Sequence, residues 1–164
     1  MNNCVICNTK LDKIFKTKVL NKYEVEYFLC PCCGLLQTEK PYWINEAYES
    51  SINDTDLGLL QRNLSLMKIS KKIINYGFNR EGKFLDFAAG YGLFVRLMRD
   101  YGYDFYWQDI FTENIFAKEF EYNDEKIELI TSFESFEHFI NPIEEIENLL
   151  KISNNILFST EIYP

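Results

Sequence analysis

Four cysteines fall into two pairs with the same internal spacing, Cys4 with Cys7 and Cys30 with Cys33. A Cys-x-x-Cys turn aims two thiolates at one point. Two such turns complete a tetrahedral set of four sulfurs, which suits Zn²⁺. Gly34 gives the second turn room to reverse. The competing chemistry is that of redox or merely buried thiols. A thioredoxin-like Cys-x-x-Cys follows a strand inside a βαβ unit, and Cys4 lies too near the start of the chain for that. Cys32 is the odd cysteine; it reads either as a free thiol or as a substitute for Cys30 or Cys33. A closed four-sulfur site has no position for water, so the expected metal is structural.

A second group of residues points to a cofactor. Leu85-Asp86-Phe87-Ala88-Ala89-Gly90-Tyr91-Gly92 stands where an apolar run gives way to a helical pattern. Gly90 and Gly92 let a ligand approach the backbone, and the helix start that follows presents N–H groups to an anion. Asp109 ends the next apolar run, where a carboxylate can accept both ribose hydroxyls of an adenosine cofactor. A dinucleotide loop needs a third glycine against the pyrophosphate, and Val95 occupies that position. S-adenosylmethionine carries no phosphate, and a looser Gly-x-Gly turn serves its single carboxylate. An ordinary tight turn explains the glycines taken alone.

The third group is Phe133-Glu134-Ser135-Phe136-Glu137-His138-Phe139. His138, the only histidine, has a suitable intrinsic pKa for a base, and a packed or solvated residue at a helix end fits equally. Glu134 and Glu137 are three apart and share one side of a helical turn, as they would on a solvated charged face.

Positioning these groups requires an alternating series of elements. Asn53-Asp54-Thr55 is a helix start, Leu60, Leu64, Met67 and Ile74 mark its apolar stripe, and Gly77 ends it. Strands are expected at 83–88, 104–108, weakly at 115–122, at 127–131 and at 155–160. Between them, Leu93, Phe94, Leu97, Met98 and Tyr101 form one helical face. Pro142 opens a further helix with Ile143, Ile146, Leu149 and Leu150 buried. That order predicts an α/β fold with a parallel sheet covered by helices. Residues 18–29 alternate as a hairpin between the cysteine pairs. Three units result: a zinc ribbon at 1–40, a linking helical segment at 41–80 and a cofactor-binding core at 81–164.

The net charge of −8 argues against a nucleic-acid surface. No leader-like stretch and no run of about 18 apolar residues is present, so no membrane partner is expected and the chain reads as cytoplasmic. Thiols stay reduced in that compartment, which favours metal over disulfides.

Residues 84–110 resemble motif I and the acidic second-strand end of class I S-adenosylmethionine-dependent methyltransferases. Asp86, Gly90 and Gly92 match the pattern Asp/Glu-x-Gly-x-Gly-x-Gly, while Ala88 replaces its first glycine. Residues 133–139 resemble the Glu-x-x-Glu-His stretch of the same enzymes. The resemblance implies a Rossmann-like fold and S-adenosylmethionine as cofactor, with Asp86, Ala88, Gly90, Gly92, Asp109 and Glu134 around it. It places residues 131–134 along the cleft and His138, with Glu137, near the sulfonium or the acceptor. The four-cysteine ribbon ahead of such a core is similar to sugar C-methyltransferases, which implies a small-molecule acceptor such as a nucleotide-linked sugar. That family has seven strands against the five counted here. The expectation is therefore a chain truncated in its acceptor region, binding cofactor but methylating poorly, with an exposed sheet edge open to dimerisation. Two other readings stand beside it: a non-catalytic module, in which a zinc ribbon and a half-sheet bind a protein partner or only the cofactor, or a truncated half that needs a partner; and a nicotinamide-binding fragment, which Val95 disfavours.

Overall fold

The computed structural model describes residues 3–47 and 57–160. The expected helix start at Asn53-Asp54-Thr55 lies outside the described residues.

Between and just after the cysteine turns the chain forms a three-stranded antiparallel sheet of β1 (Asp12–Val19), β2 (Tyr23–Leu29) and β3 (Leu36–Thr38), in that order. The hairpin turns through Leu20 and Asn21, both at positive φ. A sheet this small has little interior. Val25 is fully buried, Phe15 stacks on Tyr27 at 4.6 Å between ring centroids, and the exposed pairs Lys13–Glu26 and Lys16–Glu24 lace β1 to β2. Such exposed pairs contribute little each, so the cysteine end must hold the ribbon. A one-turn helix α1 (Ile44–Ala47) follows.

Helix α2 (Leu59–Gly77) leads into the second sheet. Its buried residues are Met67, Ser70 and Ile74, with Leu64 partly buried. Leu60 departs from the expected stripe: it lies 59% exposed at the helix start, before the helix reaches the core. The second sheet holds β4 (Lys83–Phe87), β5 (Asp104–Gln108), β6 (Leu129–Phe133) and β7 (Ile156–Ser159) in the order β5-β4-β6-β7, all parallel. Helix α3 (Leu93–Asp100) connects β4 to β5, and α4 (Pro142–Ile152) connects β6 to β7. This is the expected Rossmann-like α/β architecture. Its core has two layers, because alternate strand residues face opposite ways. Phe84, Phe105 and Leu129 pack with Ile74 of α2 and with Phe94, Val95 and Met98 of α3. Leu85 and Ile130 pack with Leu149 of α4 on the other face.

Several expectations are corrected in detail. The stretch 115–122 forms no strand and touches the sheet through one parallel bridge, Trp107 to Glu121. The third core strand begins at Leu129, two residues later than expected. On α3, Val95 is buried and Tyr101 is half exposed. On α4 only Leu149 is fully buried, while Ile143 and Leu150 are more than 40% exposed. This helix covers the sheet with a narrow seam because Phe136 and Tyr122 also fill that face. No helix among the described residues is long and apolar enough to cross a membrane.

Candidate functional site

The two cysteine turns meet. The sulfurs of Cys4, Cys7, Cys30 and Cys33 all lie within 4.8 Å of one another, with Cys7 and Cys30 3.4 Å apart and Cys4 and Cys33 3.6 Å apart. Four sulfurs bound at about 2.3 Å around one Zn²⁺ stand roughly 3.8 Å apart, so the donor set fits that ion with small adjustment. The backbone builds each turn: Asn8 N–H donates to the Cys4 carbonyl and Gly34 N–H to the Cys30 carbonyl, with Asn8 and Gly34 at positive φ. Cys4 and Cys30 are buried, Cys7 and Cys33 exposed. Hydrogen bonding with the Thr9 hydroxyl, the Thr9 backbone and the Cys30 thiol draws the Cys7 thiol down to about 6. At Cys33 the Leu35 backbone pulls downward, yet burial and the three neighbouring thiols push it up to about 12. The fifth thiol, Cys32, is exposed and stands outside the cluster.

The second constellation lies where the parallel strands of the larger sheet end. A parallel sheet brings the carboxyl ends of its strands to one edge, the usual place for a ligand. At the end of β4 the chain turns through Ala88 (φ 57), Gly90 (φ 54) and Gly92 (φ 84) into α3. Asp109, just past β5, ties this turn down: its Oδ2 accepts from Gly90 N–H at 2.9 Å, and its Oδ1 accepts from Phe111 N–H at 2.8 Å and Thr112 N–H at 2.9 Å. The Trp107 indole donates to the Gly90 carbonyl at 2.7 Å. From the far side, Ile115 and Phe116 N–H both donate to the Tyr91 carbonyl. The glycine turn is thus held at three successive points before any ligand arrives. A Cβ built on Gly90 meets nothing within 4 Å, whereas one on Gly92 meets Ala117 Cβ at 3.0 Å and Asn114 Oδ1 at 3.1 Å. Gly90 faces open space, and Gly92 is where the 114–117 loop closes on the turn.

Asp86 lies beneath this turn, in register with Trp107 of β5 and Thr131 of β6. It is 4% exposed, and its Oδ1 accepts from the Thr131 hydroxyl at 2.6 Å. Burial pushes its carboxyl up to about 7, against the lowering effect of Thr131 and with Asp109 adding to the rise. Gln108 Oε1, one residue before Asp109, is buried without a partner among the described residues. A cleft of about 80 Å³ opens beside the turn, lined by Leu59 and Asn63 of α2 with Ala89, Gly90, Tyr91 and Phe116. Ile110 and Phe111, immediately after Asp109, are 81% and 56% exposed.

At the end of β6, Glu134 adopts φ 52 and leaves the strand sharply, before a 3₁₀ turn at Phe136–His138. Glu134 and Glu137 therefore do not share a helical turn. Each is tied separately to the end of β7: the Ser159 hydroxyl donates to Glu134 Oε1 at 2.5 Å and the Thr160 hydroxyl to Glu137 Oε2 at 3.0 Å. His138 is exposed, with its N–H donating to the Ser135 carbonyl. Asp86, Ala88, Gly90, Gly92 and Asp109 form one contiguous group; Glu134, Glu137 and His138 form a second at the same end of the sheet. Ser159 and Thr160 escaped sequence reading because a hydroxyl at a strand end carries no spacing signal.

A family described as a methyltransferase domain matches residues 60–161, more than half of the chain. No curated protein matches it.

Proposed function

The chain belongs to this methyltransferase-domain family, and from that premise we propose that it transfers a methyl group from S-adenosylmethionine to a small-molecule acceptor, of which a nucleotide-linked sugar is one candidate. The observation that carries this reading is the join between Asp109 and Gly90. One carboxylate both fixes the glycine turn and keeps a lone pair on Oδ2 for a ribose hydroxyl.

The donor set fits the cofactor. Among the described residues, open space over Gly90 admits a ligand close to the backbone and Gln108 Oε1 has no donor, while Ile110 and Phe111 offer apolar surface for a base beside the ribose site. When bound, S-adenosylmethionine supplies an electrophilic methyl on its sulfonium. Ala88, Gly90 and Gly92 would contact its amino-acid end through the backbone, and Asp86 would lie beneath that end. Glu134, strained at its left-handed φ and held by Ser159, would line the cleft. His138 and Glu137 would take the acceptor proton, with Thr160 orienting Glu137. Most of the catalysis on this reading is orientation of two bound partners.

We assign Zn²⁺ to Cys4, Cys7, Cys30 and Cys33 as a structural ion, in a ribbon at 1–40 joined by 41–80 to the core at 81–164. The test of the cofactor reading is titration calorimetry with S-adenosylmethionine, S-adenosylhomocysteine and NAD. Saturable binding of the first two and none of NAD is expected. Preference for NAD would overturn it.

A further inference from the structure

Two carboxyl groups stand at the glycine turn, and their surroundings differ. Asp109 accepts three backbone N–H bonds at the strand end. Asp86 is enclosed in the middle of the sheet, with a 2.6 Å hydrogen bond from a hydroxyl that is itself fully buried. From α2, Met67 and Ile74 pack with Phe84 on the sheet face that Asp86 shares. From β5, Trp107 pairs opposite it and Asp109 lies beyond. From β6 comes Thr131. The buried face of α3 brings Phe94, Val95 and Met98, and the turn itself, residues 88–92, has no charged side chain. The charged group acting on Asp86 is Asp109, and it is of the same sign. A second negative charge placed here is opposed by burial and by repulsion from Asp109.

Taking the cofactor reading above as given, we propose that binding of S-adenosylmethionine at the glycine turn converts Asp86 from carboxylic acid to carboxylate, its proton passing to solvent. The cofactor brings two positive centres, an ammonium and a sulfonium, against one carboxylate. Positive charge at the mouth of the turn offsets Asp109 and favours the ionised form of Asp86. The Thr131 hydroxyl already donates toward Asp86, so it supports the carboxylate without rearrangement. The carboxyl group is poised for this exchange because burial and Asp109 hold its pKa near 7 in the free protein. Linkage then sets the sign. A ligand that binds with proton release binds more weakly as pH falls below the free-state pKa. The weakening reaches about tenfold one pH unit below it.

The experiment is titration of the full chain with S-adenosylmethionine at pH 6 and pH 8, in two buffers of different ionisation enthalpy at each pH. The difference in heat between buffers counts protons. The expected result is release of close to one proton at pH 6 and little at pH 8, with affinity about tenfold lower at pH 6. Asp86→Asn keeps the shape and one hydrogen bond, corrects for titration of the cofactor's own amine, and should release correspondingly fewer protons. Thr131→Val removes the hydroxyl that favours the carboxylate, so it should move the affinity transition to higher pH; it serves if Asp86→Asn does not fold. Equal proton release in wild type and Asp86→Asn, or an unmoved transition in Thr131→Val, overturns the inference while the cofactor reading stands. No binding at either pH removes both.

Discussion

Asp109 and Asp86 occupy neighbouring positions and answer to different physics. Asp109 is a fastening: it joins Gly90, Phe111 and Thr112 through their N–H groups. Asp109→Ala should therefore weaken S-adenosylhomocysteine binding by about 1–3 kcal/mol, the range for losing charge-assisted hydrogen bonds. Calorimetry on the two proteins reads this directly, and equal affinities would show that the carboxylate is not a ribose ligand. Asp86 affects the protein's own stability. Its carboxyl titrates near 3.8 when the chain is unfolded and about 7 when folded. The folded state thus binds the proton more tightly, and the stability this confers is present below pH 4 and lost as pH rises through 7. Three units correspond to roughly 4 kcal/mol. Urea denaturation of the cofactor-free protein from pH 4 to pH 8 should show Asp86→Asn with a flatter profile than wild type. Parallel profiles would place the group outside the low-dielectric core.

The glycine turn shows how an element divides its tasks. Gly92 has φ 84 and a close neighbour in Ala117, while Gly90 has φ 54 and open space. Gly92→Ala combines backbone strain with a clash and should cost about 1–3 kcal/mol of stability. Gly90→Ala pays the left-handed penalty alone, about 1–2 kcal/mol, and places a methyl where the ligand must approach. Thermal melting beside calorimetry separates the two: Gly92→Ala is the less stable protein, and Gly90→Ala loses more affinity per unit of stability lost. The cysteine turns are elements of another kind, since the ribbon they close has little buried area of its own. Cys7→Ser removes one of four sulfurs and should lower the zinc content of the purified protein well below the one equivalent expected of wild type. Metal analysis by emission spectroscopy decides it.

Among the described residues, the buried clusters of the ribbon and of the parallel sheet are distinct. The Cys4, Leu11 and Cys30 cluster and the two sheet layers share no residue. A chelator strong enough to strip four thiolates should unfold residues 1–40 and leave the sheet able to bind S-adenosylhomocysteine. Hydrogen exchange localises the loss, and calorimetry on the same sample tests the retained site. Loss of cofactor binding on chelation would show that the two units stabilise each other.

The sequence by itself determined what local spacing and chemistry can carry. Two Cys-x-x-Cys turns specify a metal-type donor set because each turn needs only its own four residues. The order of strands and helices specifies a parallel α/β sheet because handedness and chain connectivity leave few alternatives. Asp86, Gly90, Gly92 and Asp109 are legible as candidates because they lie in or beside strand ends that the apolar pattern marks. Tertiary structure decided what depends on elements distant in the chain. Only packing shows that Thr131 bonds Asp86, since they are 45 residues apart. It also sets Leu60, Ile143 and Leu150 toward solvent, because periodicity marks a face and not how much of it a neighbour covers. Glu134 and Glu137 are the clearest case. Their spacing suggests a shared helical face, yet a left-handed residue breaks that turn and hydroxyls at the end of the last strand bond each carboxylate separately. A hydrogen bond between residues 25 apart in the chain leaves no periodic trace, so it is visible only once the sheet has formed.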